Sequence, residues 1–271
     1  MIKIYTYPDK RFDFIKPQFE SLKQFCKDEF ELIIMNNGSS NERISQIESE
    51  AKYLNLTHHF IENPNHSDPT IACAYPINQT LNKFIKKEKD ATLSIIMDSD
   101  MFMIQPFSFI NFIEDYEMAA VKQKRGDNVK YIWNGIVIIN HKTIQHLDEL
   151  DFGYQIINGQ HTDVGGNTHF FFQKYPNTKL KNILHTSHIH PKNKNLKVLP
   201  KDLLLEYDID FCFELYANSI FHYGRGSNWD GMPQNYHELK TEFLHKVIQK
   251  SKESNIKWNE QEYVFDYDAW K

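Results

Sequence analysis

The first half of the chain alternates short apolar runs with segments in which apolar residues recur every three or four positions. Runs that end in turn residues are typical of buried strands, and the longer spacing is typical of amphipathic helices. The predicted strands are MIKIYTY, ELIIMNN, THHFIEN and ATLSIIMDSD. The predicted helices cover residues 13–27, the segment from Ser40 as N-cap through Ala51, and Ile77 to Ile85. This alternation predicts an α/β fold with a mostly parallel sheet, right-handed crossovers and helices on both faces.

The second half of the chain has a less regular pattern. MAAVKQ, YIWNGIVIINH and NILHTSHIH are predicted strands, and residues 167–172 and 236–252 are predicted helices, before an aromatic and acidic tail. Repeats, low-complexity tracts and a clear linker are not found in the sequence. We therefore expect one continuous domain with a divergent second half.

Composition places the chain among ordinary globular proteins. Its 271 residues are 41% hydrophobic and 25% charged, a balance that argues against disorder. The formal net charge of −5 disfavours nucleic acid as a partner of the whole surface, although a local basic groove stays possible. The 20 Phe and 14 Tyr can fill a core and can also stack on bases or sugar rings.

Cysteine usage and hydropathy indicate the compartment. The three cysteines, Cys26, Cys73 and Cys212, are far apart and form no CxxC pair, so neither a disulfide framework nor a zinc knot is expected. The amino terminus enters a strand without an apolar signal sequence. No run approaches the ~18 apolar residues of a membrane span. We expect a soluble cytoplasmic protein.

The residues that follow the predicted strands are the candidates for chemistry, because open parallel sheets bind ligands beyond the carboxyl ends of their strands. This rule selects residues 6–11, residues 36–40, Asp98 to Asp100, and Asn134. Asp98 and Asp100 end a buried run, so at extended rise they lie about 6–7 Å apart on one side of the chain. Such a pair favours a bound Mg²⁺ or Mn²⁺, or else a shared proton. A plain turn is the alternative.

Several segments resemble the GT-A glycosyltransferases, which bind a nucleoside diphosphate-sugar on a Rossmann-like half-domain. Asp98-Ser99-Asp100 resembles their DxD motif, and residues 32–41 resemble their second strand with asparagine in place of the usual acidic residue. Ala72, Ala74 and Asn78 are similar to the helix start that lies over the nucleotide. Residues 221–229 are similar to a late His-Gly-basic-Trp segment, although here the glycine follows His222 by two residues.

The resemblance implies roles for the matching residues. Asp98, Asp100 and His222 would hold Mn²⁺ or Mg²⁺, a role that neutral imidazole suits; without the two aspartates, His222 fits a half-buried strand position better. Nucleotide and diphosphate would contact Tyr5, Thr6, Tyr7, Arg11, Asn37, Asn78, Ser99, Gly224, Arg225 and Gly226. Arg225 is one of only four arginines and lies between two glycines, which suits bidentate contact to phosphate.

The catalytic candidates are Asp163, Asn134 and Trp133. Asp163 resembles the acidic residue at a helix start that acts as base or holds the acceptor in this family; capping that helix explains it equally well. Trp133, Asn134 and Gly135 resemble the family's entry into a central strand, which lines the sugar pocket. Trp133 also fits a core position.

The resemblance implies a metal-dependent glycosyltransferase that moves a sugar from a nucleoside diphosphate-sugar, with UDP-sugar preferred, to a small-molecule or glycan acceptor. Residues 1–105 would bind nucleotide, 106–235 would form the acceptor and catalytic half, and 236–271 the carboxyl-terminal helix and tail. The sequence leaves retaining or inverting stereochemistry open. One alternative is a sugar nucleotidyltransferase, which is disfavoured because the segment after the first strand, YPDKRF, lacks glycine. A second is a binding protein of the same fold that has lost catalysis. A third is a glycosyltransferase that acts on modified DNA bases, which the acidic net charge disfavours.

Three histidines lie along a predicted strand, His185, His188 and His190. They fit a second metal site or, more simply, a histidine-rich surface strand.

Overall fold

A computed structural model describes residues 1–189, 213–224, 234–253 and 269–270. Its main feature is a seven-stranded sheet. In spatial order the strands are β10 (Leu180–Asn182), β6 (Met118–Arg125), β7 (Val129–Asn140), β4 (Leu93–Met97), β1 (Ile2–Thr6), β2 (Phe30–Asn36) and β3 (Thr57–Phe60). The pairs β1–β2, β1–β4, β2–β3 and β10–β6 are parallel, whereas β7 runs antiparallel to β4 and β6. The sheet is mixed but mostly parallel, which confirms the predicted fold class.

Helices cover both faces of this sheet. One face carries α1 (Ile15–Phe25), α2 (Asn41–Tyr53) and α4 (Phe109–Ile113), and the other carries α3 (Pro69–Lys83) and α5 (Thr168–Lys174). Successive strand residues point to opposite faces, so Ile4 and Ile34 join the first core while Tyr5 and Ile33 join the second. Burial on both sides explains why β4 is mostly apolar: all five of its residues are buried, and Ser94 is the one polar residue among them.

Side-chain caps define where two helices begin. Ser40 accepts a hydrogen bond from the Arg43 amide at 3.3 Å and starts α2 as predicted. Asp68 accepts from the Thr70 amide at 2.8 Å, and Pro69 follows it as the first helical residue. Helix α3 therefore begins eight residues before Ile77, in a segment whose apolar spacing gave no helical signal.

A second, antiparallel sheet lies beside the first. Its order is β11 (His185–Ile189), β12 (Phe213–Tyr216), β13 (Ile220–His222) and β5 (Met101–Met103). Helix α6 (Gln234–Lys252) packs on it through Phe243, Leu244 and Val247, in one cluster with Phe213 and Phe221. The remaining elements are β8 (Ile156–Ile157), β9 (Gln160–His161) and three short 3-10 turns (Phe12–Phe14, Ile85–Lys87, Leu147–Glu149).

The predicted strand NILHTSHIH is divided between the two sheets. The Ile183 amide still bonds to the Ala120 carbonyl of the large sheet at 2.9 Å, whereas the Leu184 carbonyl accepts from Ala217 of the small sheet at 2.9 Å. The chain changes sheets between these residues, so β10 ends at Asn182 and β11 starts at His185. In the described part of the chain, no helix combines the length and apolarity that a bilayer crossing requires.

The Glu88 carboxylate stabilises the amino-terminal edge of the large sheet. Its Oε2 accepts from Lys3 Nζ at 2.6 Å, and its Oε1 accepts from the amides of Lys89, Asp90 and Ala91. Burial raises the pKa of Glu88, but the bonds from Lys3 and the amides outweigh it and lower the pKa to about 2. The ionised form is thus the one that these contacts stabilise.

We expect Glu88→Gln to lower the free energy of unfolding by about 2 kcal/mol at pH 7, because the charge-assisted bonds are lost. An unfolded glutamate titrates near 4.5, so the stabilisation is complete above that pH and disappears as pH falls towards 2. Urea unfolding at pH 7 and at pH 3 measures it, with the exposed Glu42→Gln as control. A difference between Glu88→Gln and wild type that stays constant over this range would contradict the assignment.

Candidate metal centre

The three predicted metal ligands lie together in the structure. Asp98 and Asp100 occupy the short connection between β4 and β5, and the antiparallel register of β13 with β5 places His222 opposite Met101. One ligand atom from each of the three side chains lies within 4.8 Å of the other two. Asp100 and His222 are buried and Asp98 is half-buried. The site stands at the carboxyl end of β4, where the α/β topology places ligands.

The backbone of the Asp98–Asp100 connection is held from several sides. The Asp98 amide donates to the Gly135 carbonyl at 2.8 Å, and the Asp100 carbonyl accepts from the Tyr223 amide at 2.9 Å. Gln18 of α1 donates its Nε2 to the Asp98 carbonyl at 2.8 Å and to the Met101 carbonyl at 3.0 Å. These bonds fix the positions of both carboxylates before any ligand binds.

Gln18 contacts the backbone of the candidate site and was not among the residues that the sequence analysis singled out. It is 1% exposed and lies on the apolar face of α1, four residues after Phe14 and four before Leu22. A polar residue in such a stripe must find hydrogen-bond partners in the core. That mismatch in the helical pattern is the signal that could have identified it.

The charges of the cluster favour a bound cation. Burial raises the pKa of Asp98 to about 7, the Asp100 carboxylate adds to the rise, and His222 partly opposes it. Burial lowers the pKa of His222, but the carboxylates of Asp100 and Glu214 outweigh burial and raise it well above its ordinary value. Three carboxylates thus surround one imidazole, and a divalent ion would relieve their repulsion. Two carboxylates with one imidazole nitrogen form a donor set that suits Mn²⁺, and the carboxylates suit Mg²⁺.

Glu214 contacts the candidate ligand His222 and was also missed. Its Oε2 accepts from His222 Nδ1 at 2.8 Å and from the Tyr216 hydroxyl at 2.5 Å, and the β12–β13 register pairs Glu214 with His222. Burial raises the pKa of Glu214, yet the His222 contact outweighs it and lowers the pKa to about 2. The sequence signal is a single acidic residue inside the apolar strand FELY, eight residues before the histidine.

Aromatic side chains form one wall of the site. Tyr216 stacks between Trp133 and His185, with ring centroids 5.6 Å and 5.3 Å away and interplanar angles of 18° and 12°. The Trp133 centroid lies 5.7 Å from that of His222. Trp133, predicted to lie near the sugar, is therefore half-buried beside the metal cluster. The side chains of His188 and His190 lie outside the described residues.

Gly135 leaves the space that the Trp133 indole occupies. A Cβ atom at Gly135 would lie 2.0 Å from Trp133 Cη2 and 2.2 Å from its Cζ2, so any side chain would displace the ring. We expect Gly135→Ala to lower the free energy of unfolding by about 1–3 kcal/mol, measured by urea titration. The matched control is Gly135→Ala introduced into Trp133→Ala, where we expect a much smaller loss because the clash is gone. Equal losses in the two backgrounds would contradict this account.

Asp163 and Asn134 lie near the cluster. The Asp163 carboxylate accepts from the Val164 amide at 2.8 Å and is one of the charges that raise the pKa of Asp98. It does not cap α5, whose N-cap position is Asn167 and carries no side-chain cap bond. Asn134 is buried on β7, next to the Gly135 carbonyl that holds the Asp98 amide.

The predicted nucleotide residues at the strand ends occupy different environments. Thr6 and Asn37 are buried, and within the described residues Thr6 Oγ1 and Asn37 Oδ1 have no hydrogen-bond partner. Burial raises the pKa of Tyr7, and the charge of Asp98 contributes to the rise. Tyr7 is therefore close enough to Asp98 to feel its charge. Tyr5 points to the α3 face of the sheet and borders a groove of about 370 Å³ that Lys3 also lines.

Two other predicted nucleotide residues, Arg11 and Asn78, form hydrogen bonds with other parts of the protein. Arg11 donates to both carboxylate oxygens of Asp13, at 2.9 and 2.6 Å, and its guanidinium lies 3.5 Å from the Phe14 ring centroid. Asn78 donates to Asp151 Oδ1 at 2.7 Å and accepts from the Phe152 amide at 2.9 Å.

The remaining nucleotide candidates lie in or next to the metal segments. Ser99 is half-buried between the two aspartates, and Gly224 has a φ of 68° and accepts from Lys240 Nζ at 2.9 Å. A positive φ of this size favours glycine, so the backbone at residue 224 turns where a side chain would be strained. Arg225 and Gly226 lie outside the described residues, and their contacts with diphosphate stay predictions.

Comparisons with known proteins gave structural matches alone. No protein-family model matches the chain, and no curated protein matches its sequence. Solved structures that match include a mannosyltransferase from Pyrobaculum calidifontis in complex with GDP-mannose and Mn²⁺, at 9% identity and a TM-score of 0.42 over 67% of this chain and 54% of that one. Another is the galactosyltransferase LgtC with donor and acceptor sugar analogues, at 12% identity and a TM-score of 0.37 over 55% of this chain and 62% of that one.

A third match, the bifunctional glycosyltransferase WbbM, covers more of this chain. It shows 10% identity and a TM-score of 0.47 over 92% of this chain and 51% of that one. This chain thus spans about half of the mannosyltransferase and of WbbM. All three of these proteins are glycosyltransferases.

Proposed function

We propose that the protein is a metal-dependent glycosyltransferase that moves a sugar from a nucleoside diphosphate-sugar to an acceptor hydroxyl. The observation that carries the proposal is the cluster of Asp98, Asp100 and His222, whose ligand atoms lie within 4.8 Å of one another at the ligand-binding edge of the sheet. These residues would hold Mn²⁺ or Mg²⁺. When bound, the cation supplies positive charge to the leaving nucleoside diphosphate.

The donor nucleoside, UDP by preference, would bind at the ends of β1 and β2. Thr6 Oγ1 and Asn37 Oδ1 support this assignment, because buried polar atoms without a protein partner gain most from a ligand that supplies one. The further donor contacts in this proposal are Tyr5, Tyr7, Arg11, Asn78, Ser99, Gly224, Arg225 and Gly226. Residues 1–105 would then form the nucleotide half of a single cytoplasmic domain.

The acceptor, a small molecule or a glycan, would approach from the side of Asp163. In an inverting reaction the Asp163 carboxylate would take the proton of the attacking hydroxyl, and in a retaining reaction it would only position the acceptor. Asn134 and Trp133 would lie against the transferred sugar. Both stereochemical outcomes stay open in this proposal.

A thermal-shift panel of UDP- and GDP-sugars, with and without Mn²⁺, tests the proposal. A donor at about 100 times its Kd should add about 2.7 kcal/mol of stability, and only when Mn²⁺ is present. Hydrolysis of the hits should release nucleoside diphosphate. Failure of every nucleotide-sugar to give a metal-dependent shift would overturn the proposal, and release of pyrophosphate from a nucleoside triphosphate and a sugar phosphate would indicate the nucleotidyltransferase alternative.

A further inference from the structure

Glu214 and Tyr216 form a hydrogen-bonded chain behind His222. Glu214 Oε2 accepts from both His222 Nδ1, at 2.8 Å, and the Tyr216 hydroxyl, at 2.5 Å. On the other side of the imidazole, Nε2 lies 3.1 Å from Asp100 Oδ1 and belongs to the metal cluster. Nδ1 therefore faces the Glu214 carboxylate, and Nε2 faces Asp100, a member of the metal cluster.

We propose that Glu214 is a positioning residue that makes His222 a metal ligand through Nε2. This inference rests on the metal centre of the proposed function. A neutral imidazole carries one proton, and an acceptor at Nδ1 selects the tautomer in which Nδ1 holds that proton. The Nε2 lone pair is then directed towards the ion, and the ring cannot turn without losing its bond to Glu214.

Tyr216 holds the carboxylate in turn. Its ring is 2% exposed and stacked between Trp133 and His185, so its hydroxyl has a fixed position. Because the hydroxyl donates to the same Oε2 that receives His222 Nδ1, it orients that oxygen towards the imidazole. The aromatic stack thereby connects to the metal ligand through two hydrogen bonds.

The surroundings of Glu214 argue against a filling role. On its face of β12, Glu214 lies beside the buried Tyr216, whereas Phe213 and Leu215 pack on the opposite face; an apolar residue at position 214 would avoid the cost of desolvating a carboxylate. The strand register sets Glu214 directly opposite His222. The hydrogen bond to His222 therefore explains why a carboxylate occupies position 214.

Isothermal titration with MnCl₂ alone, without any nucleotide-sugar, tests the inference on the full chain. Glu214→Ala should weaken Mn²⁺ binding about 10–100-fold, the usual effect of losing an outer partner of a metal ligand. Glu214→Gln keeps an oxygen that can accept from Nδ1 and should restore part of that loss. Tyr216→Phe keeps the stack but loses the hydroxyl, so its loss should be smaller than that of Glu214→Ala.

Glu117→Ala is the matched control. Glu117 is a buried carboxylate that accepts from the amides of Gln145 and Lys179, away from the metal cluster. Its replacement should lower stability while leaving Mn²⁺ affinity at the wild-type value, which separates positioning from general destabilisation. Melting curves without metal verify that each variant is folded.

The outcomes separate this inference from the proposed function. Wild-type Mn²⁺ affinity in folded Glu214→Ala overturns the inference and leaves the metal centre intact. Equal losses in Glu214→Ala and Glu214→Gln also overturn it, because an acceptor oxygen would then have no effect. If Glu214→Ala does not fold, wild-type affinity in both Glu214→Gln and Tyr216→Phe overturns it. A wild-type protein that binds no Mn²⁺ in the absence of donor overturns the inference, whereas the proposed function is decided by the thermal-shift panel with nucleotide-sugars.

Discussion

Asp98→Asn should have opposite effects on metal binding and on the stability of the metal-free protein. The substitution keeps the shape of the side chain but removes an anionic ligand, so we expect Mn²⁺ affinity to fall by more than the ~10–100-fold typical of outer partners. Without metal, the ionised Asp98 lies close to Asp100 in a buried site, which raises its pKa to about 7. Removing that charge should therefore raise the free energy of unfolding at pH 8, by on the order of 2 kcal/mol.

Titration with MnCl₂ and urea unfolding in a chelating buffer measure the two effects. The exposed Asp127→Asn is the matched control and should change neither quantity. Asp100→Asn and His222→Ala should also weaken Mn²⁺ binding, but they break the contact between Asp100 Oδ1 and His222 Nε2, so no gain in stability is expected from them. Wild-type Mn²⁺ affinity in Asp98→Asn, Asp100→Asn and His222→Ala would show that these side chains do not bind the ion.

The affinity for Mn²⁺ should rise steeply with pH between about 6 and 8. Metal binding needs an ionised Asp98 and a neutral His222, and the metal-free site raises the pKa of both groups. Below pH 7 the ion must displace the proton on Asp98, and over a wider range it must also displace one from His222. Each displaced proton costs about tenfold in affinity per pH unit.

The raised pKa of Asp98 also determines the direction in which the free energy of unfolding changes with pH. An unfolded aspartate titrates near 3.8 and the folded Asp98 near 7, so folding favours the protonated form. The contribution of Asp98 to the free energy of unfolding should therefore fall as pH rises from 4 to 7. Titration of MnCl₂ in buffers with different ionisation enthalpies counts the protons released. An affinity that is constant from pH 6 to 8, with no proton release, would contradict the charge state inferred for the site.

The sequence could predict those parts of the site that end long, regular elements. Asp98 and Asp100 follow a buried, mostly apolar strand of five residues, and the rule for parallel sheets places them at the ligand edge. His222 ends a strand of three residues, too short for periodicity to register, and only the family resemblance linked it to the aspartates. The sequence analysis did not identify Glu214, because its importance depends on the antiparallel register that pairs it with His222 across a turn.

Some candidates could not be placed because side-chain direction depends on the register within a strand. Tyr5 and Thr6 are adjacent at the end of β1, yet period-two alternation sends the Tyr5 ring into the core beneath α3. The helical pattern shows that the face of α1 carrying Gln18 is buried, but it does not show that the Gln18 amide meets the Asp98 and Met101 carbonyls. Helix α3 starts earlier than predicted because a cap at Asp68, rather than apolar spacing, determines its first turn.

The chain passes from the large sheet to the small one within the three residues Asp98 to Asp100. Two of the candidate ligands, Asp98 and Asp100, lie on this crossing, and the third, His222, lies in the small sheet. The distances between the three side chains therefore depend on how the two sheets pack against each other. Met101, Met103, Tyr216 and Ile220 of the small sheet belong to the same core cluster as the large sheet and fill the joint between them. A substitution in that joint would change the spacing of the ligands without touching them. If the cluster binds Mn²⁺ as proposed, its affinity should therefore depend on how the two sheets pack against each other.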